Sequence, residues 1–231
     1  MRYAAQLQAT IELLDEIEET KFPADRVMSN YFKNNRYIGS KDKAAISENL
    51  YTILRNKLRF EYILQSKELG THSRVLVALL LKLDDGDLYN TFDGEKYSPR
   101  RLKPGQLERF SELDLNVIGS APLNVQLNVP EWIAPKLEAA LGERYEQEML
   151  ATNKRATTDV RVNTLKTTVP AVDQAFADLG YKAHKTDLSP WCIRFESRVA
   201  LFAMKQFKQG WFEVQDEGSQ LLALLSDVKA G

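Results

Sequence analysis

Arg161 and Asn163 are a cationic and an amide side chain at alternate positions of the stretch RVNTLKTT, residues 161–168. They alternate with Val160 and Val162, which predicts a strand with polar groups on one face and valines on the other. A guanidinium can bind a phosphate, and an amide can bind a base edge or a ribose. An ordinary polar outer face of a sheet fits the same spacing, so both interpretations stay open. The flanking cations grouped with this candidate surface are Lys154, Arg155 and Lys166.

A basic segment lies earlier in the chain, between residues 33 and 59. It carries seven cationic side chains against two anionic ones, whereas residues 12–19 carry five anionic side chains and no cation. The formal net charge of the chain is −1, which argues against a wholly basic nucleic-acid binder. A local patch can still contact phosphates, and a solvated helix face is the alternative that charge alone leaves open. The candidate phosphate contacts here are Lys43, Lys57 and Arg59.

The sequence lacks the residue patterns of a metal site, a nucleotide-binding loop or a nucleophile. His72 and His184 are isolated, and the single cysteine has no CxxC partner. The eleven glycines form neither GxGxxG nor GxxxxGK[ST]. Only Arg194 lies near enough in sequence to activate Cys192, so a structural cysteine is the better interpretation. We therefore predict no catalytic, cofactor-binding or metal-binding residue in this chain.

Residues 1–120 have the apolar spacing of helices joined by short polar loops. Leu7, Ile11 and Leu14 recur at intervals of four and three, which places them on one face of a first helix. A long third helix is predicted to follow an N-cap at Ser40 and to reach about Tyr62. Residues 72–83 are apolar nearly all round, which predicts a buried central helix.

The apolar period changes in the second half of the chain. APLNVQLNVP, residues 121–130, lacks helical periodicity and is a candidate linker. A helix, a strand, a second helix, two further strands and a last helix are predicted over residues 131–231. This order indicates an α+β fold, a helical domain at 1–120 followed by a small ferredoxin-like or RRM-like domain at 131–231.

Composition indicates a protein of the cytoplasm. Hydrophobic residues make up 44% of the 231 residues and charged residues 27%, as in globular domains. The longest apolar run, Val75 to Leu81, is far shorter than the roughly 20 residues of a membrane-spanning helix. The N-terminus lacks the pattern of a secretory signal, and a single cysteine fits a reducing compartment.

Several separated motifs resemble the RsmB/Sun (Fmu) family of RNA cytosine-C5 methyltransferases. The first is a Pro-x-Trp-Ile helix start, the second is the Arg-Val-Asn strand, and the third is GWFEVQDEGSQ, beginning about 50 residues after that strand. The helical region containing GSKDKAAISENLYTILR is similar, more loosely, to the NusB-like domain of RsmB-type members. The residues that carry the resemblance are Pro130, Trp132, Ile133, Arg161, Val162, Asn163, Gly210, Phe212, Val214, Gln215, Asp216, Ser219, Gln220 and Gly231.

The resemblance implies that this chain is the N-terminal, substrate-RNA-binding part of an rRNA methyltransferase that uses S-adenosylmethionine. It implies that Gly231 directly precedes the strand that opens the methyltransferase domain. We therefore expect the 231 residues alone to be inactive and to bind no cofactor. The last helix has more apolar surface than a free chain end should expose, so we expect it to pack against that domain. The residues expected at this junction are Gln215, Asp216, Ser219 and Gln220.

Two other functions fit parts of the sequence. A free-standing NusB-like antitermination factor would need only the helical domain, and the α+β domain and the QDEGSQ motif argue against it. A protein–protein adaptor would leave the basic face merely solvated. RNA binding with a steep salt dependence distinguishes the methyltransferase part from the adaptor.

Overall fold

The computed structural model describes residues 1–197 and 199–226. The chain divides into two compact units, a helical unit at Met1–Lys154 and a sheet unit that begins at Arg155. Gly231, which the sequence analysis places before a catalytic domain, lies outside the described residues. Among the described helices, none combines the length and the apolar character that crossing a membrane requires.

The helical unit is built around the buried helix that the apolar run at residues 72–83 predicts. Leu76 and Leu79 of that helix are completely buried, as are Leu7 and Leu50 of the helices packed around it. The α-helices of this unit are α1 (Tyr3–Glu19), α2 (Ala24–Asn34), α3 (Ser40–Arg55), α4 (Lys57–Gln65), α5 (Ser73–Leu83), α6 (Leu88–Thr91), α7 (Pro104–Ser111), α8 (Leu123–Gln126), α9 (Ala134–Leu141) and α10 (Tyr145–Thr152).

The predicted long third helix is two helices, α3 and α4, which meet at Asn56. The Asn128 side chain lies at this break, where its amide donates to the Arg55 carbonyl and its carbonyl accepts the Leu58 N–H. These bonds satisfy backbone groups that a continuous helix would pair internally. The apolar spacing continues across Asn56, so the sequence pattern hides the interruption. The prediction of Ser40 as N-cap was also wrong, because Ser40 is the first helical residue and Gly39 is the cap.

The candidate linker at residues 121–130 is packed against the helical unit. It contains α8, and the Arg59 guanidinium donates to the Gln126 carbonyl across 2.7 Å. Leu127 and Val129 are buried and form a small core with Tyr145 and Met149 of α10. The contacts of the described backbone divide the chain at Lys154, whereas the predicted second domain begins at residue 131.

The sheet unit has the α+β arrangement that the sequence predicts. Its strands are antiparallel in the order β2–β3–β1–β4, and its two crossovers contain helices, as in a ferredoxin-like fold. The elements are β1 (Thr158–Val162), α11 (Val169–Asp178), β2 (Ala183–Lys185), β3 (Cys192–Phe195), α12 (Lys205–Lys208), β4 (Phe212–Val214) and α13 (Glu217–Leu225).

One face of this sheet packs on α11 and carries the core. Val160, Ile193 and Phe212 are buried there, and the Phe176 ring of α11 lies 5.1 Å from the Phe212 ring, centroid to centroid. An edge-to-face pair of this kind stabilises a core beyond the area that it buries. Because side chains alternate along a strand, Arg161 of β1 must project from the opposite face. That opposite face is where the polar candidates lie.

Candidate nucleic-acid interface

Arg161 lies on the polar sheet face, opposite the valines, as its alternation with Val160 predicts. It is directly across from Glu213 of β4, and the two side chains form an ion pair with a 2.9 Å N–O distance. Both side chains are partly exposed, so solvent screens the pair. The guanidinium can therefore exchange this carboxylate for a phosphate at modest cost.

Asn163 organises the turn that follows β1 instead of projecting freely. Its side-chain amide donates to the Gly210 carbonyl across 3.0 Å, and its side-chain oxygen accepts the Leu165 N–H. Lys166 lies on the same turn, is exposed, and donates to the Gln209 carbonyl. Gly210 has a φ of +71°, and a Cβ there would lie 2.8 Å from the Lys166 Nζ. The turn thus holds a lysine at the surface, while the amide is occupied.

A buried ionic network occupies the centre of the polar sheet face, and its residues were not among those predicted from the sequence. The Arg194 guanidinium of β3 contacts both carboxylate oxygens of Asp159 on β1, at 2.8 and 2.6 Å. The Asp159 side chain is only 1% exposed. The signal available in the sequence was the alternation of Asp159 with valine, which places a carboxylate on the Arg161 face.

Glu217 joins α13 to this network. Its carboxylate accepts the backbone N–H groups of Leu188 and Ser189 and lies 3.4 Å from the Arg194 guanidinium. Its own backbone N–H donates to Asp159 across 3.2 Å. The first turn of α13 is therefore fastened to the sheet by charged and backbone groups together.

The predicted junction residues begin α13. Asp216 caps the helix by accepting the Ser219 N–H at 3.0 Å. Gln220 is completely buried, accepts the Ser189 hydroxyl and donates to the Gln215 carbonyl. Gln220 thus holds α13 to its own unit, Asp216 and Ser219 cap the helix, and the role of the four residues at a domain junction stays a prediction.

Two pKa values follow from this packing. Burial opposes ionisation of Asp159, but the Arg194 guanidinium and the Glu217 N–H outweigh it and lower the pKa of Asp159 below its ordinary value. Burial raises the pKa of the Cys192 thiol, which lies on the same face and is 1% exposed. A thiol in this state is a poor nucleophile.

The candidate cations of the helical unit already have intramolecular contacts. Lys57 forms an ion pair with Glu18 of α1 at 3.0 Å, and Arg59 donates to the Gln126 carbonyl. The Lys43 ammonium lies 5.6 Å from the centre of the Phe32 ring. Lys154 and Arg155 are both exposed at the end of one unit and the start of the next. RNA contacts by these five residues stay predictions.

No metal-binding cluster is found in residues 1–197 and 199–226. The exposed part of α13 is apolar, since Leu222 and Leu225 are 69% and 81% exposed. Such side chains on a helix whose polar groups are occupied make a surface that another surface can cover. The described sheet unit therefore has a polar sheet face whose charged groups pair with one another, and an exposed apolar surface on α13.

Comparison with known proteins agrees with this architecture. Residues 129–201 match the family model described as the ferredoxin-like domain of RsmF/B-like methyltransferases. Ribosomal RNA small subunit methyltransferase B of Salmonella typhi, and that of Salmonella agona (strain SL483), are each 23% identical to this chain over 203 residues. Each alignment covers 79% of this chain and 47% of the relative. These matches show that the chain is similar to RsmF/B-like methyltransferases and to small-subunit rRNA methyltransferase B over part of their length.

The solved structure of PH0851 supports the fold of this chain. It has a TM-score of 0.62 and 17% sequence identity, and the match covers 100% of this chain and 57% of that one. The predicted fold class, helices followed by a ferredoxin-like sheet, is confirmed. The chain spans about half the length of the curated relatives that it matches.

Proposed function

We propose that this chain binds the substrate RNA of a cytoplasmic rRNA methyltransferase that acts on carbon 5 of cytosine. The observation that carries the proposal is the combined match of the ferredoxin-like family model and of the curated relatives, which are named as small-subunit rRNA methyltransferases. The partly exposed Arg161 and the exposed Lys166 support it, because they lie beside one turn of the sheet unit and phosphate contacts position an RNA.

S-adenosylmethionine is the methyl donor that the proposal requires, and the described residues do not fit it. The sheet is antiparallel throughout, and the β1–α11 turn bonds through Asn163 and Thr168 without a glycine-rich loop. Open α/β folds bind nucleoside-containing cofactors in the crevice at the carboxyl ends of parallel strands, and the described sheet offers no such crevice. No reaction step is therefore assigned to these residues. We propose that the cofactor serves the full-length enzyme elsewhere, and that this chain alone is inactive.

Leu222 and Leu225 supply the second part of the proposal, which is that α13 packs against a methyltransferase domain. The Asp216 cap and the Glu217 contacts fix the polar side of this helix on the sheet, so that its two exposed leucines form a separate surface. Exposed apolar side chains on one helix are typical of a surface that another domain covers, and the chain spans about half the length of the curated relatives that it matches.

A salt titration of RNA binding tests the proposal. The chain is titrated against a labelled fragment of small-subunit rRNA by fluorescence anisotropy between 50 and about 300 mM salt, and a steep loss of affinity is expected because counterions are released. Affinity that is undetectable or independent of salt favours a protein–protein adaptor. Methyl transfer by this chain from labelled cofactor would contradict its proposed inactivity.

Two substitutions make the assignment of Arg161 specific. Arg161→Ala should weaken RNA binding about five- to tenfold, whereas Glu213→Gln should not weaken it, because the second change releases the guanidinium from its ion pair. Lys182→Ala removes an exposed cation of the same unit outside the predicted surface and is the matched control. Equal losses from Arg161→Ala and Lys182→Ala would show a general charge effect instead of an Arg161 contact, and a loss from Glu213→Gln would contradict the release of the guanidinium.

A further inference from the structure

A cleft in the helical unit has the size and lining of a site for one nucleotide. Its volume is about 640 Å³, which lies within the range of ligand pockets in proteins. It lies between the first turns of α1, the end of α2 and the loop that precedes α7. The side chains used below are Arg2, Glu12, Tyr31, Tyr37, Lys96 and Tyr97.

Two tyrosines of this cleft are largely exposed. The Tyr37 side chain is 74% exposed and that of Tyr97 is 67% exposed, and both line the cleft. An aromatic ring that stays exposed to water contributes little to the stability of the fold. Any of the four bases can stack on such a ring, because every base has a π-face. The rings are therefore placed for a planar ligand.

The loop that presents Tyr97 has a defined backbone. Tyr97 has a φ of +70°, in the left-handed region that is costly for a bulky residue. The loop is closed by a bond from the Gly94 N–H to the Pro99 carbonyl at 3.1 Å, and the Arg101 side chain donates to the Asp93 carbonyl. Strain that the surroundings maintain in this way is typical of a ligand-contacting position.

The charges of the cleft complement a nucleotide. Arg2 and Lys96 are exposed cations without an acidic partner in the part of the chain that the structure describes, and Lys96 lies 5.0 Å from the Tyr97 ring centre. Glu12 accepts the Tyr31 hydroxyl at 2.6 Å and the Gln8 amide at 2.9 Å. Burial and the Glu12 bond raise the pKa of Tyr31 well above its ordinary value, so its hydroxyl stays a donor.

We propose that this cleft binds one unpaired nucleotide of the RNA, with its base stacked on Tyr37 and Tyr97. A carboxylate has about four acceptor positions, so Glu12 can accept a base amino group besides its two present donors. Arg2 and Lys96 contact the adjoining phosphate. The site therefore prefers bases with an exocyclic amino group over uracil, as carboxylates accept from cytosine N4 in other complexes. The ligand class rests on the proposed RNA-binding function.

A peptide is the competing occupant, and the lining favours it less. The aliphatic side chains that line this cleft are Met1, Ala5 and Ala9, of which only Met1 is large, so they form no deep apolar groove for an amphipathic helix. Exposed tyrosines with adjacent cations are instead the combination found in single-strand binding proteins. A binding experiment with short RNA distinguishes the two.

The first test measures binding of short oligonucleotides to the 231-residue chain. Replacement of both tyrosines, Tyr37→Ala with Tyr97→Ala, should lower the affinity for oligo(C) at least about tenfold. Tyr89→Ala is the matched control, because Tyr89 is 72% exposed in the same unit but lies outside the cleft. Circular dichroism confirms that each variant is folded. Unchanged binding in the double variant overturns the cleft proposal.

The second test reads base preference. The wild-type chain should bind oligo(C) more tightly than oligo(U), and Glu12→Gln should reduce this ratio, whereas Glu19→Gln, on the same helix outside the cleft, should leave it unchanged. Equal affinity of the wild-type chain for both oligonucleotides overturns the role of Glu12. Failure of the wild-type chain to bind any RNA, including the rRNA fragment, overturns the proposed function as well. If every cleft variant binds the rRNA fragment as tightly as the wild-type chain does, the proposal of a nucleotide site in the cleft is overturned, whereas the proposed function stands.

Discussion

The polar sheet face and the tyrosine cleft both carry charged side chains, but they use them in opposite ways. On the sheet, Arg194 contacts Asp159 and Glu217, so its positive charge is neutralised by carboxylates of the same unit. In the cleft, Arg2 and Lys96 face open space beside two exposed aromatic rings. A buried pair specifies how an element docks, whereas unpaired exposed groups are available to a ligand.

The difference also bears on which cations of this chain are useful for RNA. Lys57 and Arg59 belong to the basic segment by sequence, yet they contact Glu18 and Gln126 in the fold. Charge density along the sequence therefore overstates the cationic surface. The cations to test first are those whose neighbours leave them exposed.

The largest effect is expected from Arg194→Ala, which leaves the Asp159 carboxylate buried without its guanidinium. The free energy of unfolding of the sheet unit should fall by about 3 kcal/mol. Urea unfolding followed by tryptophan fluorescence measures it, in a Trp132→Phe background that leaves Trp191 and Trp211 of this unit as reporters. Arg161→Ala is the control and should cost at most about 1 kcal/mol, because its pair with Glu213 is partly exposed. Equal losses of unfolding free energy in the two variants would show that the Arg194 network stabilises the unit no more than the exposed Arg161–Glu213 pair does.

Acid should reveal the same network. The folded Asp159 has a pKa below the 3.8 of an ordinary aspartate, so the unfolded chain binds the proton first as pH falls. The stabilisation is complete above about pH 5, declines as pH falls below the unfolded pKa and is lost as pH falls through the lowered pKa. Asp159→Asn should remove this part of the pH dependence in urea unfolding curves. Parallel acid destabilisation of both proteins would contradict it.

Neutralising exposed cations should affect RNA and not stability. Arg36 and Lys41 are exposed in the basic segment, without ion pairs in the ranges that the structure covers. Replacing both by alanine should weaken rRNA binding and lower the slope of log affinity against log salt by about one for each lost phosphate contact. Lys57→Ala, which removes a paired cation, should change the slope less. A larger change of the salt slope from Lys57→Ala than from the double variant would contradict the expectation that exposed, unpaired cations bind the RNA.

The smallest effect is expected from the apolar surface of α13. Leu222→Ser with Leu225→Ser should change the free energy of unfolding of this chain by less than about 0.5 kcal/mol for each substitution, because both side chains are exposed. Thermal unfolding measures it. A large loss would show that the leucines pack within the chain, contrary to the proposed interdomain surface.

Local sequence pattern predicted the elements that bury long apolar stripes and failed where a partner is distant in sequence. The buried α5 and the valine face of β1 were predictable, because their periods are strong. The edge strand β2, Ala183–Lys185, was missed, since it has three residues and lacks the β-branched and aromatic types that favour strands. The tyrosine cleft was also missed, because it joins three segments that no spacing links.

The candidate site shows the same limit at the level of single residues. The alternation in RVN was enough to place Arg161 on the polar face, but the ion pair with Glu213 depends on a strand about 50 residues later. Asn163 has a side-chain amide of the kind that can bind a base edge, but this amide already donates to the Gly210 carbonyl. Residue type and period predict a side chain's direction, and only the fold shows what it already contacts.

Asn128 ties the order of folding to the order of synthesis. Its bonds to the α3–α4 break join residues 70 and 73 positions apart, so the break leaves the ribosome long before the side chain that completes it. Contacts of such sequence separation close late, because the entropy of the intervening loop must first be overcome. Until Asn128, which follows α8, has been synthesised, water must satisfy the Arg55 carbonyl and the Leu58 N–H that Asn128 bonds in the fold.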